Sequence, residues 1–320
     1  MKKFFLRILG VAAAIGLLAS AGCSSKSQMS TNAGDEGKLA VYTSFYTMYD
    51  FAKKIGGDKV SVSTLVPPGT EPHDWEPKVK DISRLEKARV FIYNGAEMES
   101  WVDKVLGSLK NKDLIVVEAS KDIKLIEGDH HEEEGKDDKK KDDHEEHGND
   151  PHVWLNPMYA KRQMEVIKDA LVSADPGNKE YFEKNFEDNS KKLDVLDKEY
   201  KETVSKFSKK EIVVAHQAFG YLCEAYGLTQ IPIEGLSADA EPTAARMVEI
   251  AKFARENKVK VIFFEELVSP KVAQAIAKEV GAETDMLNPI EGITDEDVKA
   301  GKEYFSVMRD NLEALRKALQ

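Results

Sequence analysis

The sequence predicts an α/β fold of two doubly wound parallel-sheet lobes joined by a long rigid helix. The length of 320 residues is enough for about two domains. Short apolar runs alternate with helical patterns, and this alternation occurs twice along the chain. A charged stretch with helical spacing of its large apolar residues separates the two series. Strand–helix alternation is typical of parallel sheets that are covered by helices on their faces.

The first lobe is predicted over residues 38–177. Strand-length runs rich in apolar residues alternate there with patterns of helical period. The predicted strands are 39–44, 60–66, 90–94 and 114–118, and the predicted helices between them are 46–55, 78–87 and 97–109. A further helix should begin at Pro157, because proline is favoured at the first helical position and Asn156 is a good capping residue.

The connecting helix is predicted over residues 178–208. No glycine or proline follows Asn178 before residue 208, and Phe182, Leu193, Leu196 and Tyr200 recur near helical spacing. A helix of about 30 residues is about 45 Å long. Such a strut should limit how far the lobes swing.

The second lobe is predicted over residues 209–320 and repeats the pattern of the first. Its predicted strands are 211–215, 229–233, 259–264 and 283–287, and its predicted helices are 217–226, 242–256, 270–280 and 295–319. The repeated strand–helix order predicts a second parallel sheet.

The N-terminus has the pattern of a signal peptide over residues 1–22. Three positive charges precede an apolar run at 8–18, and small residues follow it up to Cys23. Eleven apolar residues are too few to span a bilayer. A Gly-Cys ending resembles a bacterial lipoprotein signal, which implies lipid attachment at Cys23, a flexible tether over 23–37 and a location on the extracytoplasmic face of the cell membrane.

The net charge is concentrated in one segment. Lys+Arg total 46 and Asp+Glu 57, which gives a formal charge of -11. The acidic tract, residues 127–150, contains twelve acidic residues and four lysines, and it should form a mobile loop because it lacks large apolar side chains. An acidic chain disfavours nucleic acid as a partner. Two cysteines exclude a disulfide framework.

The seven histidines fall into two groups. His130, His131, His144 and His147 lie in the acidic tract, whereas three are solitary. Each solitary histidine lies near the carboxyl end of a predicted strand, where open α/β sheets bind ligands. Three imidazoles converging from both lobes would form a transition-metal site, with zinc as the leading metal. The solitary histidines are His73, His152 and His216.

A fourth ligand is expected from the second lobe. Asp285 lies toward the end of the last predicted strand. Periodicity does not separate it from Glu283 or from Glu291 in the loop beyond, and Glu265 and Glu266 end another strand at the same edge. The residues therefore leave the choice of carboxylate open.

Four motifs together resemble the metal-binding solute-binding lipoproteins of bacterial ABC importers (cluster A-I), of the zinc-uptake, ZnuA/AdcA-like type. The resemblance covers almost the whole mature chain. The motifs are PHDWEP at 72–77, DPHVWLNP at 150–157, AHQAFGY at 215–221 and TDMLNP at 284–289.

This resemblance implies a two-lobed receptor with one metal ion in the interlobe cleft. The family's ligands carry over to His73, His152 and His216, with Asp285 as the carboxylate. It further implies a monomer that binds Zn(II) and delivers it to an ABC permease with its ATPase subunit. Manganese-type members tend to have glutamate at the position of His216, so imidazole there favours zinc, with a manganese receptor as the alternative. The histidines of the acidic tract should bind zinc weakly, as a reservoir or sensor.

Two other classes of function compete with a receptor. A secreted zinc hydrolase would need an open coordination position and a general base, but the chain has no HExxH motif, and the spacing between His144 and His147 is one residue short. A surface adhesin is the other alternative, although no feature of the sequence marks an adhesive surface. Walker A and GxGxxG motifs are absent as well, so the transport ATPase must be a separate chain.

Overall fold

A computed structural model describes residues 37–128, 148–236 and 242–320. The predicted signal peptide, the lipid attachment at Cys23 and the four histidines of the acidic tract lie outside these ranges. Within them, no helix is long and apolar enough to cross a membrane.

The first half of the described chain forms a four-stranded parallel sheet. Its elements are β1 Leu39–Thr43, α1 Tyr46–Gly56, β2 Val60–Thr64, α2 Val79–Leu85, β3 Val90–Tyr93, α3 Val102–Ser108 and β4 Ile115–Glu118. The strands pair in the order β2-β1-β3-β4, and the helices α1–α3 lie between them in sequence.

The second half forms a sheet of the same topology. Its elements are β5 Glu211–Val214, α6 Gly220–Tyr226, β6 Thr229–Pro232, α7 Ala244–Glu256, β7 Val261–Phe264, α8 Lys271–Val280, β8 Glu283–Met286, α9 Asp295–Ala300 and α10 Tyr304–Leu319. The strands are also all parallel and pair in the order β6-β5-β7-β8. Two doubly wound parallel sheets confirm the predicted fold class.

In each sheet the order in which successive strands are added across the sheet reverses between the two central strands, which remain parallel. This switch lies between β1 and β3 in the first sheet and between β5 and β7 in the second. Ligands of open α/β sheets bind in the crevice at the carboxyl ends of such strands. The central strands are apolar and buried, with Val41, Ile92, Val213 and Ile262 fully inaccessible, so the two crevices are rigidly supported.

Two long helices connect the sheets. Helix α4, Pro157–Ala174, begins at the expected proline, and the Asn156 side chain accepts a hydrogen bond from Met158 N at 2.9 Å. Helix α5, Lys179–Val204, has 26 residues and is therefore about 39 Å long. It packs against α1 and α4 of the first half and against α6 and α10 of the second. This long packed helix agrees with the predicted strut.

Two predicted helices differ from the structure. The helix expected at 97–109 begins only at Val102, because Ala96 and Glu97 have φ angles of 51° and 68°, which a right-handed helix does not allow. The helix expected at 295–319 is two helices, since Gly301 adopts a φ of 72° and closes α9 in a left-handed cap. Both differences arise where the backbone enters the left-handed region.

Candidate metal centre

Four side chains meet between the two sheets: His73, His152, His216 and Glu291. One ligand atom from each lies within 4.8 Å of the other three. His152 and His216 are fully buried, Glu291 is 3% exposed, and only the His73 side chain reaches the surface, at 11% exposure. The group is thus closed to solvent except along one imidazole.

Three of these residues lie beyond the carboxyl end of a strand, and His152 lies just before a helix. His73 lies in the loop after β2, and His152 directly precedes a 3-10 turn at Val153–Leu155 that leads into α4. His216 follows β5 by two residues, and Glu291 lies between β8 and α9. For His73, His216 and Glu291 the convergence follows from the orientation of the parallel strands, whose carboxyl ends share one edge of each sheet.

The distances between the ligand atoms fit a small tetrahedral ion. The Nε2 atom of His152 lies 3.2 Å from Nε2 of His73 and 3.4 Å from Nε2 of His216. Glu291 Oε1 lies 2.7 Å from Nε2 of His152 and 3.3 Å from each of the other two Nε2 atoms. A tetrahedron with metal–ligand bonds of about 2.0–2.1 Å has ligand separations of about 3.3–3.4 Å. Three nitrogens and one oxygen could hold a divalent transition metal with little rearrangement.

Buried carboxylates orient two of the three imidazoles. Asp150 Oδ1 accepts hydrogen bonds from the backbone N of His152 at 2.9 Å and from its Nδ1 at 2.8 Å. Glu265 Oε1 accepts from His216 N at 3.1 Å, and Glu265 Oε2 makes an ion-pair contact of 2.6 Å with His216 Nδ1. A carboxylate on Nδ1 fixes the tautomer that leaves Nε2 free to bind a metal.

Asp150 is itself held by the start of α6. The Tyr221 hydroxyl donates to the Asp150 carbonyl oxygen at 3.0 Å. A Cβ atom on Gly220 would lie only 2.4 Å from Asp150 Oδ2. The glycine of the AHQAFGY motif therefore allows the second lobe to approach the carboxylate that orients His152 in the first.

The charges of the site shift the pKa of its members. Burial disfavours a charged imidazole, but Asp150 and Glu291 outweigh it and raise the pKa of His152 to about 8. Burial likewise opposes protonation of His216, yet Glu265 and Glu291 hold its pKa well above the usual value. Burial would raise the pKa of Glu291, but the neighbouring His216 and His73 hold it well below its usual range. A metal ion would therefore displace protons from this site.

The structure brings together the three histidines that the sequence singles out, and it places Glu291, not Asp285, beside them. Asp285 lies on the edge strand β8, where its Oδ1 accepts from Met286 N at 2.9 Å and its Oδ2 lies 4.0 Å from Lys317 Nζ. Its side chain is 39% exposed. Glu291 takes the place expected for Asp285, because the chain turns into the cleft only after β8 has ended.

The other carboxylates considered from the sequence have different surroundings. Glu265 contacts His216 from the side opposite the ligand atoms, as described above. Glu266 accepts from Asn288 Nδ2 at 2.7 Å, and Glu283 is exposed on β8. The sequence signal for Glu291 is its position in an otherwise apolar run, between Ile290 and Ile293.

Two parallel-sheet lobes with a closed, four-ligand site between them define a metal-binding solute receptor. Catalytic zinc sites keep one coordination position open, whereas four protein side chains converge here. The chain belongs to the family of the periplasmic component A of zinc-uptake complexes, whose model matches residues 41–318. Members of this family are receptors and not enzymes, so the chain is not an enzyme and the hydrolase alternative is wrong.

Similar proteins support the same assignment. The high-affinity zinc uptake system protein ZnuA of Bacillus subtilis is 45% identical over 319 residues, covering 100% of this chain and 99% of that protein. The zinc-binding lipoprotein AdcA of Streptococcus pneumoniae is 43% identical over 316 residues, covering 99% of this chain and 61% of that protein. The crystal structure of the Zn(II)-bound ZnuA-like domain of that AdcA has a TM-score of 0.75 at 41% identity, covering 88% of this chain and 99% of the domain.

Proposed function

We propose that the protein is an extracytoplasmic, high-affinity Zn(II) receptor that delivers the ion to an ABC importer. The observation that carries this proposal is the set of three imidazole nitrogens and one carboxylate oxygen, all within 4.8 Å of one another between the lobes. The names of its relatives, a zinc uptake protein and a zinc-binding lipoprotein, point the same way.

The donor set favours zinc over manganese. Imidazole nitrogen suits zinc, whereas manganese prefers carboxylate, carbonyl and water oxygens. Four donors at tetrahedral spacing also match the coordination number of zinc in protein sites. His216 is the decisive residue, because a carboxylate at this position would give a second hard oxygen ligand.

The partners belong to this proposal as well. The receptor acts as a monomer tethered through lipid at Cys23, and it passes zinc to a permease driven by a separate ATPase subunit. The relative named as a lipoprotein supports the anchor. The histidines of the acidic tract add weak zinc sites to the same chain.

Metal competition tests the proposed cargo. The purified protein, stripped with a chelator, is exposed to equal zinc and manganese, and the retained metal is measured by mass spectrometry. We expect close to one equivalent of tightly held zinc and no tightly held manganese, because of the nitrogen-rich donor set. A titration against a chromophoric chelator then gives the Kd. Retention of manganese in preference to zinc would overturn the proposal.

A pair of matched substitutions tests the carboxylate ligand. Glu291→Gln keeps the shape of the side chain but removes its negative charge, and we expect the Kd for zinc to rise at least about tenfold. Asp285→Asn removes a carboxylate from the same lobe without touching the site, and we expect an unchanged Kd. Competition titrations of both variants measure the difference. The reverse pattern would assign the metal to Asp285.

A further inference from the structure

The loop that carries Glu291 passes from one lobe to the other. We call residues 287–294, between β8 and α9, the carboxylate loop. Its first residues are fixed by the second half of the chain: Leu287 N donates to Phe264 O at 3.0 Å, and the Asn288 carbonyl accepts from Asn311 Nδ2 at 2.7 Å. The loop therefore starts as an extension of the second sheet.

Three carbonyl groups later in the loop accept hydrogen bonds from the first half. Trp154 Nε1 donates to Pro289 O at 2.7 Å, and the Thr47 hydroxyl donates to Ile290 O. The backbone N of Gly69 donates to Ile293 O at 2.9 Å. Hydrogen bonds from the first lobe thus bracket Glu291 on both sides in sequence.

The hydrogen bond from Thr47 acts on a strained residue. Ile290 has a φ of 61°, a conformation that a β-branched side chain adopts only when its surroundings impose it. Both Thr47 and Ile290 are buried, at 0% and 1% exposure. The backbone dihedrals of Ile290 set the direction in which the next residue, Glu291, leaves the loop.

We infer that Thr47 is a positioning residue of the metal site, which fixes the Glu291 carboxylate from the first lobe. This inference rests on the proposed function. Glu291 belongs to the second half of the sequence. The hydrogen bonds that hold its loop come from the first lobe, which also carries His73 and His152. The first lobe thereby sets three of the four ligands relative to one another, and the second lobe contributes His216.

Thr47→Val tests this inference, because it keeps the shape of the side chain and removes only the hydroxyl group. We expect the Kd for zinc to rise about 10–100-fold, the usual effect of losing a group that orients a ligand. Thr47→Ser retains a hydroxyl and should restore wild-type affinity. Thr43→Val is the matched control: Thr43 is also fully buried and its hydroxyl also binds a backbone carbonyl, that of Ser63 at 3.5 Å, within the first sheet. The Kd of the Thr43→Val protein for zinc should be unchanged.

A double-mutant cycle separates positioning from general destabilisation. If Thr47 acts through the carboxylate, Thr47→Val should raise the Kd for zinc little further in a protein that already carries Glu291→Gln. The absorption spectrum of bound Co(II) should also change in the same way in both single variants. If Thr47→Val does not fold, Trp154→Phe removes the neighbouring donor and should weaken zinc binding in the same non-additive way.

The outcomes distinguish this inference from the proposed function. A Thr47→Val protein with wild-type affinity, or one whose effect adds fully to that of Glu291→Gln, would overturn the positioning role while the zinc site stands. A Glu291→Gln protein that binds zinc as the wild type does would overturn the ligand set itself, and the inference with it.

Discussion

Replacement of His216 by alanine is expected to remove most of the stabilisation that zinc gives the protein. At a free zinc concentration about 1,000 times the Kd, binding to the folded state adds about 4 kcal/mol to the free energy of unfolding. His216 supplies the donor 3.4 Å from His152 Nε2 and 3.3 Å from Glu291 Oε1. If its loss raises the Kd about 1,000-fold, the same zinc concentration adds only about 0.4 kcal/mol.

The stability of each variant with zinc must be compared with the stability of the same variant without zinc. His216→Ala also leaves Glu265 without its imidazole partner in a buried place, and this lowers the stability of the metal-free protein. Melting temperatures are therefore measured for each variant with a chelator and with zinc. His130→Ala, which changes a histidine of the acidic tract, should keep the full zinc-dependent shift. If His216→Ala kept that shift as well, His216 would not be a ligand.

The two sheets could be predicted because the sequence pattern of each strand is local. Strands buried on both faces form short continuous apolar runs, such as the one at 261–264, and these runs are visible without any knowledge of contacts. All eight predicted strands occur in the structure, with ends that differ by one or two residues. His73 and His216 followed from the same pattern, since each lies beyond the end of a strand, whereas His152 lies just before α4.

The choice of Glu291 over Asp285 could not be made from the sequence because the placement of Glu291 depends on distant residues. Glu291 is directed into the cleft by the left-handed backbone of Ile290. That conformation is held by Thr47 and by Trp154, which lie 243 and 135 positions from the carbonyl groups they bind. The spacing of apolar residues along the sequence gives no information about such contacts. Position at the end of a strand favours Asp285, but Glu291 lies in the less regular loop beyond β8.

Zinc affinity is expected to fall steeply as the pH is lowered from 8 to 6. Asp150 and Glu291 raise the pKa of His152 to about 8 against the opposing effect of burial, so the metal-free site holds a proton there until the pH exceeds that value. Zinc needs the neutral imidazole and must compete with this proton. One competing proton with a pKa of about 8 weakens binding about 50-fold between pH 8 and 6, whereas a pKa of about 6.5 gives only about fourfold.

Competition titrations with a chelator calibrated at each pH measure this slope. Asp150→Asn removes the carboxylate that pairs with His152 Nδ1 at 2.8 Å, so the pKa of His152 should fall and the loss of affinity between pH 8 and 6 should be smaller than in the wild type. Asp285→Asn makes the same chemical change on the edge strand β8 and should leave the slope as steep as in the wild type. His216, whose pKa is also raised by buried carboxylates, makes the slope steeper and not flatter. An affinity that does not change with pH over this range would exclude protonated imidazoles from the site and, with them, the charge arrangement described for His152 and Glu291.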